Sequence, residues 1–247
     1  MASTPHRVAV GAVPFDVRTQ DGAVAEILQC AQDRSPVPIR FANAWCVVLA
    51  DEDAEYAALL NTPGLNFPDG RPVAKEMRKA PDAGKAEQVR GPSVFPDALG
   101  DGRALGIRHY FLGSTPEVIE RLTAKVAERF PGAVIVGSYA PPFGPLDEAF
   151  YADCVPRIEA SDADIVWVGM GTPKQDFAAA ELAERTQRPC AGVGAAFDFL
   201  AGTTREAPRW MRSIGLEWLF RLLSEPRRLW RRYLIGNAKF LRIARRS

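Results

Sequence analysis

Asp69 sits between the run Leu65-Asn66-Phe67-Pro68 and Gly70, which puts a carboxylate in a loop at the end of a short strand. A carboxylate so placed can act as general base toward a substrate hydroxyl. Judged on these neighbours alone, an ordinary Asp-Gly turn is the favoured account. Asn43, just after Phe41-Ala42, can orient a sugar or hydroxyl through its amide, or cap a helix. Three glycine-bearing loops accompany them: Leu112-Gly113-Ser114, Gly169-Met170-Gly171-Thr172-Pro173-Lys174 and Gly192-Val193-Gly194-Ala195. Their backbone N–H groups can approach phosphate oxygens, although tight strand-to-helix turns explain each loop equally well. Lys174 and Gln175 stand where polar side chains can hold a phosphate or sugar, or lie solvated in a first helical turn.

Other chemistries find less support. Neither glycine pair completes a dinucleotide fingerprint, because Lys174 and Phe197 occupy the third glycine's place, so no nicotinamide cofactor is expected. Asp162-Ala163-Asp164 resembles the paired-acid metal motif of many nucleotide-sugar transferases. It runs directly into Ile165-Val166-Trp167-Val168, however, so these acids should begin a strand at the end opposite the site, and no metal is expected. His6 lies near the N-terminus and His109 starts a strand, which gives a histidine-based triad little support. Cys30, Cys46, Cys154 and Cys190 form no close pair, a pattern that suits reduced thiols in a cytoplasmic protein.

The elements that must position these residues alternate along the chain. Thr19 precedes the helical pattern of Ala23, Ile27 and Leu28, and Pro38 to Ala42 reads as a strand. Asp51 is expected to cap a helix holding Tyr56, Leu59 and Leu60. His109-Tyr110-Phe111-Leu112 is a buried-strand candidate, after which Thr115 and Pro116 begin a helix through Val118, Leu122 and Val126. Further strands are expected at 133–136, 165–168 and 190–193, with helices around 147–159 and 174–186. Continuous apolar strands separated by helices imply an α/β fold, a Rossmann-like parallel sheet covered by helices on both faces. In such sheets ligands bind beyond the carboxyl ends of the strands, where Asp69 and the glycine loops fall.

The composition, 47% hydrophobic and 25% charged over 247 residues, supports a substantial core rather than a disordered chain. The net charge of +1 conceals an asymmetry. From Arg205 onward eleven Arg and one Lys face three Glu, so residues 205–247 carry +9 and residues 1–204 carry −8. Trp210, Met211, Ile214, Trp218, Leu219, Leu222 and Leu223 supply an apolar face to this basic segment. Pro226 must break or restart its helix. A basic amphipathic helix with tryptophans reads as an interfacial membrane binder, while a helix packed on its own domain with a solvated basic rim accounts for part of the segment. Nucleic-acid binding is open on charge alone, with no reading motif. The longest uncharged stretch, 130–146, is interrupted by Gly and Pro, and nothing reaches the roughly 18 apolar residues of a membrane helix. No signal peptide is read at the N-terminus.

Taken together, several ordered motifs resemble the WecG/TagA/CpsF family, glycosyltransferase family 26, from about Val13 to Leu241. They are Phe67-Pro68-Asp69-Gly70, Val89-Arg90-Gly91-Pro92, Phe111-Leu112-Gly113, Val168 through Asp176, Gly192 through Asp198, Ala201-Gly202, Ala207-Pro208-Arg209-Trp210, Gly215 through Leu222 and Glu225-Pro226-Arg227-Arg228. The resemblance implies inverting, metal-independent transfer of a sugar from a UDP-sugar to a polyprenyl-diphosphate-linked saccharide in bacterial surface or exopolysaccharide synthesis. N-acetylmannosamine, N-acetylmannosaminuronate or glucose type sugars are the expected range.

By the same resemblance Asp69 is the catalytic base. Asn43, Gly113, Gly169, Gly171, Lys174, Gln175 and Gly194 belong to the substrate site, and Arg221, Arg228 and Arg231 close over it to meet the UDP diphosphate. The family's usual threonine is Phe41 here, and Asp176 replaces a glutamate. The family's Arg-Val-x-Gly-x-Asp loop reads Gln88-Val89-Arg90-Gly91-Pro92-Ser93, so Arg90 is the candidate stand-in for its arginine. The implied organisation is a core over 1–204 and, over 205–247, a basic appendage that associates with the membrane and closes the active site. The protein is then expected to be cytoplasmic and peripheral on the inner membrane face, without cofactor, its oligomeric state open. A non-catalytic lipid-linked-glycan binder, or less favoured a nucleic-acid-binding protein, stands as the alternative.

Overall fold

A computed structural model describes residues 6–246 except Asp82 and Lys85, with all their side chains apart from those of Arg209, Ser213 and Arg228. The chain opens with an antiparallel hairpin that the sequence reading did not anticipate, β1 (Arg7–Val10) paired with β2 (Val13–Asp16). Helix α1 (Gln20–Gln32) follows, capped by Thr19, whose hydroxyl accepts from Gly22 N–H at 3.1 Å. Strand β3 (Pro38–Ala42) leads into two helices where one was expected, α2 (Ala44–Glu52) and α3 (Ala54–Asn61). Asp53, not Asp51, caps the second, accepting from the N–H groups of Glu55 and Tyr56 at 2.9 and 3.2 Å. Next come β4 (Leu65–Pro68), α4 (Arg71–Met77) and α5 (Gly91–Asp101). The chain continues through β5 (Arg108–Gly113), α6 (Pro116–Arg129), β6 (Val134–Tyr139), α7 (Glu148–Ser161), β7 (Ile165–Gly169), α8 (Lys174–Thr186), β8 (Cys190–Gly192) and α9 (Ala196–Ala201).

The expected sheet is present: six parallel strands in the order β4-β3-β8-β7-β5-β6, with helices on both faces. Period-two alternation sorts the strand side chains. Phe41, Phe67, Phe111 and Trp167 pack with α1, α5, α6 and α9 on one face, and Tyr110, Leu112, Val166 and Val168 pack with α7 and α8 on the other. Asp162 and Asp164 lie at the amino end of β7, as expected, in ion pairs with Arg34 and Arg108.

The appendage comprises α10 (Arg209–Ser213), α11 (Glu217–Ser224), α12 (Pro226–Trp230), a π-helical turn over Arg231–Ile235, and α13 (Gly236–Ala244). Pro226 starts a new helix, where its missing N–H costs nothing. Helix α13 packs on α2 and the hairpin, and its Phe240, Ile243 and Ala244 join one core with Val10, Phe15 and Val47. Contact is close enough that a Cβ on Gly236 would lie 2.9 Å from the Trp45 ring, and one on Gly11 2.8 Å from Ile243. Upstream of α13 the surface is different, with Trp210 62% and Leu223 72% exposed beside the exposed Arg227 and Arg231. Among the described residues no helix is long and apolar enough to cross a membrane.

Candidate active site

Parallel register builds the centre of the site. Ala42 of β3 pairs with Pro68 of β4, and Asp69 N–H donates to the Ala42 carbonyl at 2.9 Å. Asn43 and Asp69 therefore leave neighbouring strands side by side. Gly70 lies next to Asn43, and a Cβ there would make only an ordinary 3.5 Å contact with Asn43 Cβ. Asn43 caps α2: its Oδ1 accepts from Trp45 N–H at 2.9 Å, and its backbone N–H reaches Cys46 Sγ at 3.3 Å. The cap reading is thus realised. Phe41 lies in the core, its ring 5.7 Å from that of Phe67.

Burial pushes the Asp69 carboxyl up to about 6, against the opposing pull of Arg90; Glu217 adds to the rise, and Arg221 and Arg232 work against it. A second acid behaves alike. Asp176, in the first turn of α8, is buried and pushed up to about 6 by desolvation, although Tyr56 donates its hydroxyl to it at 2.7 Å and the Arg40 cation lies near. Arg40 is itself fully buried, held by Thr62 Oγ1 at 2.8 Å and Asn66 Oδ1 at 3.3 Å.

The glycine loops meet at the carboxyl ends of β5, β7 and β8. Gly113 pairs with Gly169, and a Cβ on Gly169 would fall 2.5 Å from the Phe197 ring, so this approach requires glycine. Gly171 is needed for its backbone, at φ +78°, and a Cβ there would meet nothing within 4 Å. Gln175 is buried and ties two of the loops together: its Oε1 accepts from Gly171 N–H at 3.0 Å and its Nε2 donates to the Gly192 carbonyl at 3.0 Å, with Gly194 beside it. Its amide is spent on the protein, so it shapes the loops. Lys174 turns toward the β6–α7 loop, donating to the Gly144 carbonyl at 2.5 Å near the Phe143 ring.

Charged residues of the appendage lie near enough to act on Asp69. Arg221 lies over the Phe199 ring at 5.6 Å, and its buried Nε has no hydrogen-bond partner among the described residues. Arg232 is half-buried, its Nε likewise unpartnered, and its charge acts on both Asp69 and Asp176. Arg231 instead is exposed, over the Trp230 ring at 5.2 Å. The Arg228 side chain lies outside the described residues. Arg90 is buried, and all three of its guanidinium nitrogens are engaged, by Glu217, Glu206 and Ser93. Sequence reasoning missed Arg232, Glu217, Glu206 and Tyr56 as parts of this arrangement. A signal existed for Arg232: it lies eleven residues after Arg221, which at about 100° per residue returns to within ~20° of the same helix face. A groove between α3 and α8, lined by Asp53, Leu59, Phe177 and Glu181, belongs to the flank rather than to this site.

A parallel α/β sheet with a desolvated acid at its strand ends, near arginines of a C-terminal helical appendage, defines a Rossmann-like protein whose candidate site brings a carboxylate together with cations. The chain belongs to the glycosyl transferase WecG/TagA/CpsF family, whose model matches residues 8–247, essentially all of it. It is therefore a glycosyltransferase, acting in general between a sugar donor and a lipid-linked acceptor.

Proposed function

We propose that this glycosyltransferase moves a sugar from a UDP-sugar to a polyprenyl-diphosphate-linked saccharide by one inverting, metal-independent displacement. Asp69 takes the proton of the acceptor hydroxyl. That oxygen attacks the anomeric carbon from the face opposite the nucleotide, the bond from that carbon to the diphosphate oxygen breaks, and UDP departs. The observation that carries this reading is Asp69 itself, partly buried at a strand end with its carboxyl raised to about 6, where it is largely ionised at neutral pH yet basic enough to accept a proton. The cations of Arg221 and Arg232, which act on the same carboxylate, suit the negative charge that grows on the leaving diphosphate. On this reading Asn43 Nδ2 orients a sugar hydroxyl, and the loops at Gly113, Gly169 and Gly194 offer the nucleotide backbone donors, the Gly171 N–H being held by Gln175.

The protein works, on this reading, as a peripheral enzyme on the cytoplasmic face of the membrane. Exposed Trp210, Ile214, Leu223 and Leu234 enter the interface, and Arg227, Arg231, Arg242, Arg245 and Arg246 meet anionic headgroups. The experiment is a screen of UDP-sugars with a short-chain polyprenyl-diphosphate saccharide in the presence of EDTA. The expected outcome is glycosylated lipid and free UDP from one donor in that set. Absence of UDP release and of lipid glycosylation with every UDP-sugar would reject the donor assignment.

A further inference from the structure

Helix α11 carries Arg221 to the site, and its apolar side chains Trp218, Leu219, Phe220 and Leu222 are only half-buried there. Leu229 of α12 is 2% exposed and α13 contributes Phe240 and Ile243 to the core, whereas no side chain of α11 is fully buried. Charge adds to that partial packing. Arg90 Nη2 donates to Glu217 Oε1 at 2.6 Å and its Nε to Glu217 Oε2 at 3.0 Å, a bidentate grip on the first residue of α11. Its Nη1 lies 2.6 Å from Glu206 Oε1, which also accepts from Arg212 of α10 at 3.1 Å. Arg90 and Arg221 share the Phe199 ring, at 5.9 and 5.6 Å from its centroid.

The other end of Arg90 is anchored just as firmly. Val89 N–H donates to the Pro68 carbonyl at 3.0 Å, one residue before Asp69, and the Arg90 carbonyl accepts from Val94 N–H at 2.9 Å in the first turn of α5. One residue thus links the strand end that bears Asp69 to the segment that bears Arg221. With Arg90 only 6% exposed, losing either carboxylate would leave a cation short of compensation in a place water scarcely reaches.

We propose that Arg90, Glu217 and Glu206 form a clasp that fastens the appendage over Asp69, and that Arg90 and Glu217 are positioning residues acting through Arg221 on a nucleotide diphosphate. Arg90 does not bind that diphosphate, because its nitrogens are occupied when the appendage is closed. The identity of the ligand rests on the function proposed above; the clasp does not.

The test uses the full-length protein and two readouts, amide hydrogen exchange and affinity for UDP. Glu217→Gln should speed exchange across 209–224 by about tenfold or more while α13 keeps its wild-type protection, and should weaken UDP binding about tenfold. The loss in turnover should lie mainly in KM for the donor. Arg90→Lys, which keeps the charge but loses the fork, should fall between wild type and Glu217→Gln. Should Glu217→Gln fail to fold, Glu206→Gln removes the outer carboxylate and is expected to show the same pattern at smaller amplitude. Wild-type exchange over 209–224 in these variants overturns the clasp. Loosened exchange with unchanged UDP affinity overturns the positioning role. If the wild-type protein itself fails to bind UDP, the donor reading fails, and the exchange measurement alone decides the clasp.

Discussion

Arg231 and Arg232 are adjacent in sequence but differ in surroundings: Arg231 is exposed over the Trp230 ring, whereas Arg232 is half-buried and acts on Asp69 and Asp176. The two should separate by mutation. Arg232→Ala is expected to lower kcat/KM by roughly 10- to 100-fold, as for loss of a charge-assisted contact of about 1.5–3 kcal/mol. Arg231→Ala should leave turnover in detergent within about threefold, a difference of under 1 kcal/mol. Steady-state kinetics on the two variants checks this, and the reverse order would place Arg231 on the donor.

Proton removal by Asp69 needs the carboxylate, so the rate should rise with pH through an apparent pKa near 6 and level off above it. The cations oppose the rise, so removing the Arg232 charge should move the acid limb to higher pH. A kcat/KM profile from pH 5 to 8.5, wild type against Arg232→Ala, reads both effects.

Stability should respond in the opposite sense. Asp69 and Asp176 each have a folded-state carboxyl raised from 3.8 to about 6, so the folded state holds protons more tightly than the unfolded one. Their contribution to stability therefore falls as pH rises between those values and stays lowered above. Asp69→Asn removes one ionised group from a desolvated place. At pH 8 it should stabilise the protein, on the order of 1 kcal/mol after allowance for partial solvent access and roughly 2–4 °C in Tm. Thermal melts at pH 5 and 8 should show a gain at both, roughly twice as large at the higher pH.

The exposed side chains of the appendage bear on membrane binding. Replacing Trp210, Ile214 and Leu223 together by Ser removes apolar area from positions 58–72% exposed, so folding should be unaffected. Sedimentation with anionic vesicles should drop by about tenfold or more, since each apolar side chain lost from the interface forfeits on the order of 1 kcal/mol. Raising salt should weaken the remaining binding through the arginines. Unchanged vesicle binding by the triple variant would remove these residues from the interface.

Much of this arrangement is legible in the residues themselves, and the rest has identifiable physical reasons for being hidden. The parallel sheet announces itself because buried strands such as Ile165 to Val168 are continuous apolar runs. Thr115-Pro116 marks a helix start for a local chemical reason, and Asp69 falls at a strand end as its neighbours suggest. The β1–β2 hairpin was missed because its strands are only four residues long, and its core partners, Val47 and Ile243, lie far along the chain. The boundary between α2 and α3 was blurred by two aspartates two positions apart, of which Asp53 takes the cap. Arg90 presents the harder case. Its motif marks the loop, but its partners are 116 and 127 residues away, and ion pairs at such separations leave no periodicity to read. Arg232 keeps the eleven-residue spacing from Arg221, but the helix break at Glu225-Pro226 lies between them, so that spacing could not be read as one continuous face.

The role of Asp69 can be measured most directly with Asp69→Asn, an isosteric change that keeps the turn and removes the proton acceptor. Transfer from the true UDP-sugar to the lipid-linked acceptor, followed in single turnover at pH 8, should fall by about 10²–10⁴ while UDP affinity stays within about threefold of wild type. Wild-type turnover in a folded Asp69→Asn protein would contradict the assignment of Asp69 as the base.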